Sequence, residues 1–274
     1  MKSVGAKDCN LNDSFASTEE RLLEIASEVP GVLGYCVATA IGDVLYSRNE
    51  GELFPQASAI KIPILMETIA QREAGKICWK QQHSILKADQ VDGTGILYEF
   101  ANGESLISTG DLCTLMIVLS DNTATNLLIN LIGMAEVNRL MDELNCPKTR
   151  LVRMMRDYAA IARGSENLST PREAARIMQT LMQGMFVSRQ ASDDTLAILR
   201  KPKSSAIRKA VPSEISIANK PGAITGVAAE WAIVELPSRP YIIVLMGKDG
   251  DEASFLKAFM EIAQYVHQAL AESE

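Results

Sequence analysis

Three observations predict an α+β architecture: one antiparallel sheet flanked by helices, built from both chain termini, beside an all-helical subdomain. Strand-like segments cluster near the two ends of the chain, while the long middle carries apolar residues at helical spacing. No internal repeat or low-complexity linker divides the 274 residues, so one large domain is expected rather than two independent ones.

The elements follow in order. Ser17-Thr18-Glu19-Glu20 is a capping-box pattern, in which the hydroxyl and the carboxylate satisfy each other's orphan N–H groups. Leu22, Ile25, Ala26 and Val29 then recur at helical spacing until Pro30-Gly31 stops the run. Residues 1–16, before that cap, are expected to form a flexible N-terminal segment. Val32 to Thr39 alternates and is β-branched, Ile41-Gly42-Asp43 turns, and Val44 to Arg48 resumes, which predicts a hairpin.

Residues 58–200 read almost wholly as helix. Thr109 and Asp111 open one helix carrying Leu112, Leu115, Met116 and Leu119. A second runs from Thr123 to Gly133, and a third from Met134 to Leu144 before Cys146-Pro147. Thr170-Pro171-Arg172-Glu173 opens another, with Ile177, Leu181 and Met185 on its buried stripe. Toward the C-terminus, Glu214 to Asn219, Ala228 to Leu236 and Tyr241 to Met246 are strand candidates, the last two joined by Pro237-Ser238-Arg239-Pro240. Phe255, Phe259, Ile262 and Val266 mark a final helix face. The single domain of residues 17–274 is thus expected to comprise an α/β subdomain (about 17–57 and 201–274) and a helical one (about 58–200).

Composition removes several function classes. The balance of 27 Lys and Arg against 34 Asp and Glu gives a net charge of −7, and no basic run exists, which excludes a nucleic-acid partner because phosphate affinity rests on positive charge. The longest apolar stretches fall far short of the roughly 18 residues that span a bilayer. No apolar core of a signal peptide is written in the first thirty residues, so a cytoplasmic location is expected, or export if a signal has been trimmed. The five cysteines include no C-x-x-C pair, so small buried thiols are expected rather than zinc ligands or a disulfide framework. Neither a metal nor a cofactor is expected; the partner is a small-molecule substrate, and the chain is expected to be a monomer.

His83 and His267 read as solvated surface residues, and no G-x-S-x-G occurs, so a Ser-His-Asp triad is not indicated. A serine can instead be activated by a lysine kept neutral by burial and a second positive charge. In S-x-x-K one helical turn places the two side chains together. Three segments match: Ser58-Ala59-Ile60-Lys61, Ser84-Ile85-Leu86-Lys87 and Ser254-Phe255-Leu256-Lys257. The first stands apart by its company. Ser120-Asp121-Asn122 occurs once, in a break between two apolar helices, and Lys220-Pro221-Gly222 follows a strand-like segment. A rival K-x-G, Lys248-Asp249-Gly250, leaves only a helix after it.

The ordered set S-x-x-K, S-D-N and K-x-G resembles that of class A β-lactamases and penicillin-binding proteins. From about residue 17 to 271 the chain is similar to the class A β-lactamase-like serine hydrolases, and Ser169-Thr170-Pro171 and Thr123-Ala124-Thr125-Asn126 add to the likeness. The resemblance implies Ser58 as acylated nucleophile, Lys61 as its activator and Ser120 as proton relay. It implies Asn122 and Lys220 as holders of the substrate amide and carboxylate, with Gly222 and Ala223 beside them, and an oxyanion hole from the N–H groups of Ser58 and Ala223.

This sequence departs from the family pattern in its loop and third motif. Where the family carries E-x-x-L-N, counting back from Pro171 reaches Met154; Asp157 is the nearest carboxylate, and Glu166-Asn167-Leu168 does not reproduce the motif. Slow β-lactam deacylation is therefore expected. Pro221 removes a hydroxyl and an N–H, and Gly226 to Glu230 supplies no arginine, which leaves Lys220 as the expected sole cation for a carboxylate. Cys113 faces Leu65 where many family members pair two cysteines, so no disulfide is expected there. Tyr98 either lines the pocket or packs. The expected function is hydrolysis of a β-lactam or related small amide or ester through an acyl-enzyme; the alternatives are a D,D-peptidase or penicillin-binding activity, and a non-catalytic binding module.

Overall fold

The computed structural model describes the backbone of residues 7–272 and the side chains from Phe15 onward; Met1 to Ala6, part of the segment expected to be flexible, and the side chain of Cys9 lie outside the described residues. Helix α1 (Lys7–Glu28) begins well before the capping box that was expected to start it. Phe15 supports the turn just before the cap: it packs on Tyr46 at a ring separation of 5.9 Å and lies under the guanidinium of Arg239. Tertiary packing of an aromatic residue outweighs a local stop-and-start signal.

The expected hairpin is present as β1 (Val32–Thr39) and β2 (Val44–Arg48). After β3 (Phe54–Pro55), helix α2 (Lys61–Glu73) runs through the centre of the molecule. The stretch that follows corrects the helical reading of residues 58–200. Strands β4 (Gln82–Ser84) and β5 (Leu106–Ser108) pair across two short 3-10 turns, because the glycine- and aspartate-rich segment between them sustains no helix. Helices α3 (Thr109–Val118), α4 (Asn122–Ile132) and α5 (Met134–Glu143) fall close to their predicted places, and α4 ends at Gly133 with φ of 85°. The segment after α5 is again mostly loop, with only α6 (Tyr158–Ala162) and β6 (Leu168–Ser169). Thr170 caps α7 (Pro171–Met182) by accepting the N–H of Glu173, as the capping box predicts. Helices α8 (Arg189–Arg200) and α9 (Ala206–Ala210) lead to β7 (Ile217–Ile224), β8 (Val227–Val234), β9 (Tyr241–Lys248) and α10 (Glu252–Ala271).

The sheet is antiparallel in the order β2-β1-β9-β8-β7, so strands from the two ends of the sequence meet at the β1–β9 seam. Side chains alternate across it. On β8, Ala229, Trp231 and Ile233 join the core shared with the central helices, while Ala228, Ala232 and Val234 face α1 and α10. The core on the helical side is continuous with the sheet, and α7 packs on β1 and β9. Strand β7 is an edge and runs three places beyond Pro221, farther than the sequence reading allowed. A proline fits there because the position of its missing N–H faces away from the partner strand.

Both histidines correct the expectation of solvated surface residues. His267 is 9% exposed, with Nδ1 3.2 Å from the Tyr241 hydroxyl, and half-buried His83 sits 2.8 Å from Thr109 Oγ1. His267 follows the buried Val266 on α10, and His83 is covered by strand pairing with Ile107 of β5. Cys36, Cys113 and Cys146 are buried thiols, whereas Cys78 is exposed. Among the described residues no helix is long and apolar enough to cross a membrane.

Candidate active site

The 3-10 turn Ala57–Ile60 runs straight into α2 and puts Ser58 and Lys61 on the same side of the chain. Their contact is not the direct one that helical spacing suggests. Lys61 is fully buried, and its Nζ donates to Ser120 O (2.7 Å), Ser120 Oγ (2.9 Å) and Asn122 Oδ1 (3.1 Å). Ser120 Oγ in turn donates to Ser58 Oγ at 2.8 Å. The two residues of the first motif are therefore bridged by the serine of the second. Lys220 Nζ reaches the same hydroxyl at 3.1 Å and donates to Pro221 O at 2.7 Å. With two lone pairs accepting and one proton donated, the Ser120 hydroxyl is fully used.

The segment around Ser120 is shaped to make this possible. Ser120 adopts φ of 53°, a left-handed conformation that a non-glycine residue holds only at some cost. The next residue supplies the restraint. Asp121 is fully buried and caps α4 through the N–H of Ala124 at 2.8 Å, while its other oxygen accepts from Ile96 N (2.7 Å) and Leu97 N (2.9 Å). Gly95, at φ of 102°, leaves room for that carboxylate, since a Cβ there would collide with it. Thr94 Oγ1 donates to Ser120 O at 2.5 Å. Asn122 is buried as well: its oxygen receives Lys61, and its NH2 donates to Asp92 O at 2.9 Å. One N–H of the amide and one lone pair of its oxygen make no other hydrogen bond among the described residues and are open to a substrate amide.

On the opposite wall, β7 passes close to Ser58. A methyl at Gly222 would collide with the backbone N and Cα of Ser58, so only glycine lets the strand approach and brings Ala223 to the cleft. The cleft measures about 630 Å³ and is lined by Ser58, Ser120, Lys220, Gly222 and Ala223 among others. Tyr98 does not line it; Thr94 does.

Electrostatics follow from burial. Loss of solvent, and then the neighbouring Lys220, hold the Lys61 amine well below the ordinary lysine range, and Asp121 opposes them. Burial likewise brings Lys220 down to about 7, with Glu230 opposing. Lys220 is not the sole cation, contrary to the sequence reading: Lys203, Lys209 and Lys257 also line the cleft, and no carboxylate does. Lys203 and Lys209 come from a loop and the short helix after it, and Lys257 from the much later α10, so no local pattern joins all three. Lys257 belongs to one of the two rejected S-x-x-K segments; its partner Ser254 is spent on the Asp251 cap. Lys87 of the other lies in a 3-10 turn, and rival Lys248 pairs with Glu52.

The loop before α7 holds its carboxylates elsewhere. Asp157 caps α6 through Ala160 N at 2.8 Å, and Glu166 pairs with buried Arg153 at 2.6 Å. Asn167 Oδ1 fixes the loop by accepting Val152 N and Arg153 N.

A model of the beta-lactamase enzyme family matches residues 17–270. A beta-lactamase from Rhodobacter capsulatus is 27% identical over 178 residues, covering 63% of this chain but only 60%, under two thirds, of that relative. Beta-lactamase CARB-3 of Pseudomonas aeruginosa is 23% identical over 216 residues, 77% of this chain and 74% of its own. Among solved structures, the beta-lactamase from Sphaerobacter thermophilus superposes with a TM-score of 0.83 at 26% identity, covering 96% of this chain and 97% of its own. PBP-A shares the fold with a TM-score of 0.84 at 23% identity, covering 93% and 96%.

One prediction concerns Asp121. Asp121→Asn turns an amide nitrogen toward N–H donors the carboxylate now accepts, and is expected to lower unfolding free energy by about 3 kcal/mol in urea titration. A change within about 0.5 kcal/mol would show that the cap does not hold the Ser120 segment.

Proposed function

The chain belongs to the beta-lactamase enzyme family, and we propose that it is a serine acyl-enzyme hydrolase acting on a β-lactam or a related small amide or ester, with slow deacylation. The observation that carries this is the shared Ser120 hydroxyl, which links nucleophile, buried amine and cleft cation within hydrogen-bond distance. Ser58 Oγ attacks the carbonyl carbon. Its proton passes to Ser120 Oγ as the proton of Ser120 passes to neutral Lys61. Of the three acceptors around Lys61, two are carbonyl-type oxygens and only Ser120 Oγ has a proton to give, so a neutral Lys61 directs its lone pair there. Collapse of the tetrahedral intermediate breaks the C–N or C–O bond. The relay then returns the proton to the leaving atom.

Ala223 N–H and Ser58 N–H are the oxyanion donors in this reading, with Gly222 setting their approach. Lys220 holds a substrate carboxylate. Asn122 positions Lys61 through one lone pair of its oxygen, and its second N–H is assigned to the substrate amide. Release of the acyl group needs an activated water, and Asp157 and Glu166 are engaged in capping and pairing, which supports a long-lived acyl-enzyme. The same observation favours penicillin-binding behaviour as the second reading.

Intact-protein mass spectrometry after mixing with a fluorescent penicillin is expected to show a persistent adduct on the parent and none on Ser58→Ala, whose acylation falls by about 10⁴-fold or more. Fast turnover without an adduct, lost in Asp157→Asn, would instead assign water activation to Asp157. A labelled Ser58→Ala would refute the nucleophile.

The two lysines also set a pH profile. Lys61 must be neutral and Lys220 charged, and Lys220 loses its proton near pH 7. The acylation constant kcat/KM is therefore expected to decline as pH rises through about 7, through a rising KM for carboxylate-bearing substrates. It is expected to decline again at low pH as Lys61 takes up a proton. A flat profile between pH 6 and 9 would remove Lys220 from carboxylate binding.

A further inference from the structure

The cleft does not end at the nucleophile. Past Lys220 it continues between the loop before α9 and the flank of α10, where Lys203, Lys209 and Lys257 converge with Ser204. Four ammonium groups thus line one cleft without a single carboxylate, in a chain whose net charge is −7. Lys203, Lys209 and Lys220 form no ion pair among the described residues, and Lys257 lies 3.7 Å from Glu261, beyond hydrogen-bond contact. The nearby anion is sealed off. Glu230 is 1% exposed, and its oxygens accept from Asn219 Nδ2 (2.7 Å) and from Ala206 N (3.1 Å), behind the wall of the cleft.

We propose that this far end is a second anion subsite, so that the substrate carries two carboxylates: one at Lys220 beside the scissile bond, the other received by Lys203, Lys209 and Lys257. The proposal rests on the hydrolase reading above and names its substrate class. Lys203 is the built part of the subsite. Its Nζ donates to Leu199 O and Lys201 O at 2.6 Å each, which fixes the stem and leaves one of three protons for a ligand. Burial and the neighbouring Arg208 and Lys220 bring its pKa down to about 7, so an arriving anion restores a charge the site otherwise disfavours. Lys209 and Lys257 are exposed and flank the same space from separate helices. Clefts lined by one sign of charge concentrate ligands of the other.

The test titrates the full chain and the double variant K209Q/K257Q with butyrate and with the dicarboxylates from glutarate to suberate, followed by NMR at low salt. At least one dicarboxylate is expected to bind the parent about tenfold more tightly than butyrate, with that advantage lost in K209Q/K257Q, as two surface ion pairs of ordinary strength imply. Equal affinities, no dicarboxylate binding, or an advantage that survives in the double variant would overturn the subsite. Both substituted lysines are exposed, and an unchanged circular dichroism spectrum checks the fold. Failure of the hydrolase reading shows separately, as a parent whose Ser58 no fluorescent penicillin labels.

Discussion

Two lysine amines deprived of water share one hydroxyl, and most of the surrounding structure exists to keep them there. Like charges in a poorly solvated space repel, so Lys61 and Lys220 cannot both be ordinary ammonium groups. The conflict is held in place rather than relieved. Lys61 is anchored from one side by a backbone carbonyl and an asparagine, Lys220 by the carbonyl of its own neighbour, and Ser120 stands between them in a left-handed conformation. That conformation persists because the buried Asp121 binds three backbone N–H groups from two separate segments. Stability invested in one carboxylate thus maintains strain at the residue before it.

Much of the architecture was legible because its causes are local. The hairpin of β1 and β2 follows from alternation and a turn, and α7 from a threonine cap before a proline; both begin where the sequence puts them, but α7 stops at Met182, so Met185 is exposed rather than on the buried stripe with Ile177 and Leu181. Two of the other errors share a cause, which is that tertiary packing is not written in a window of ten residues, whereas a third passes over a glycine signal that is itself local. Phe15 supports α1 in the turn before its apparent start, and the glycine-rich stretch around Gly93 and Gly95 lies in a run otherwise read as helical. His267 reads as solvated because it falls one place off the apolar stripe that Val266 marks, yet Tyr241 of β9 covers it.

The site divides along the same line. Three ordered motifs picked out Ser58, Lys61, Ser120, Asn122 and Lys220, and the fold brings all five into one hydrogen-bonded cluster. The spacing of S-x-x-K suggested a direct serine–lysine pair, whereas the link passes through a residue from another helix junction. Lys203, Lys209 and Lys257 escaped notice since each is an ordinary surface-type lysine in its own segment. Only the packing of α9 and α10 on each other and on β8 places them around a common space.

The proline in β7 has a meaning for polypeptide ligands. Because Pro221 sits opposite Glu230 in an edge strand, its nitrogen faces the open side, and by the two-residue period of a strand so does the N–H of Ala223. A peptide laid along this border as an additional strand would find a donor at Ala223 and a gap two residues earlier. Strand pairing is therefore interrupted next to the nucleophile. The border offers one donor at Ala223 and no repeating ladder on which an extended backbone could pair.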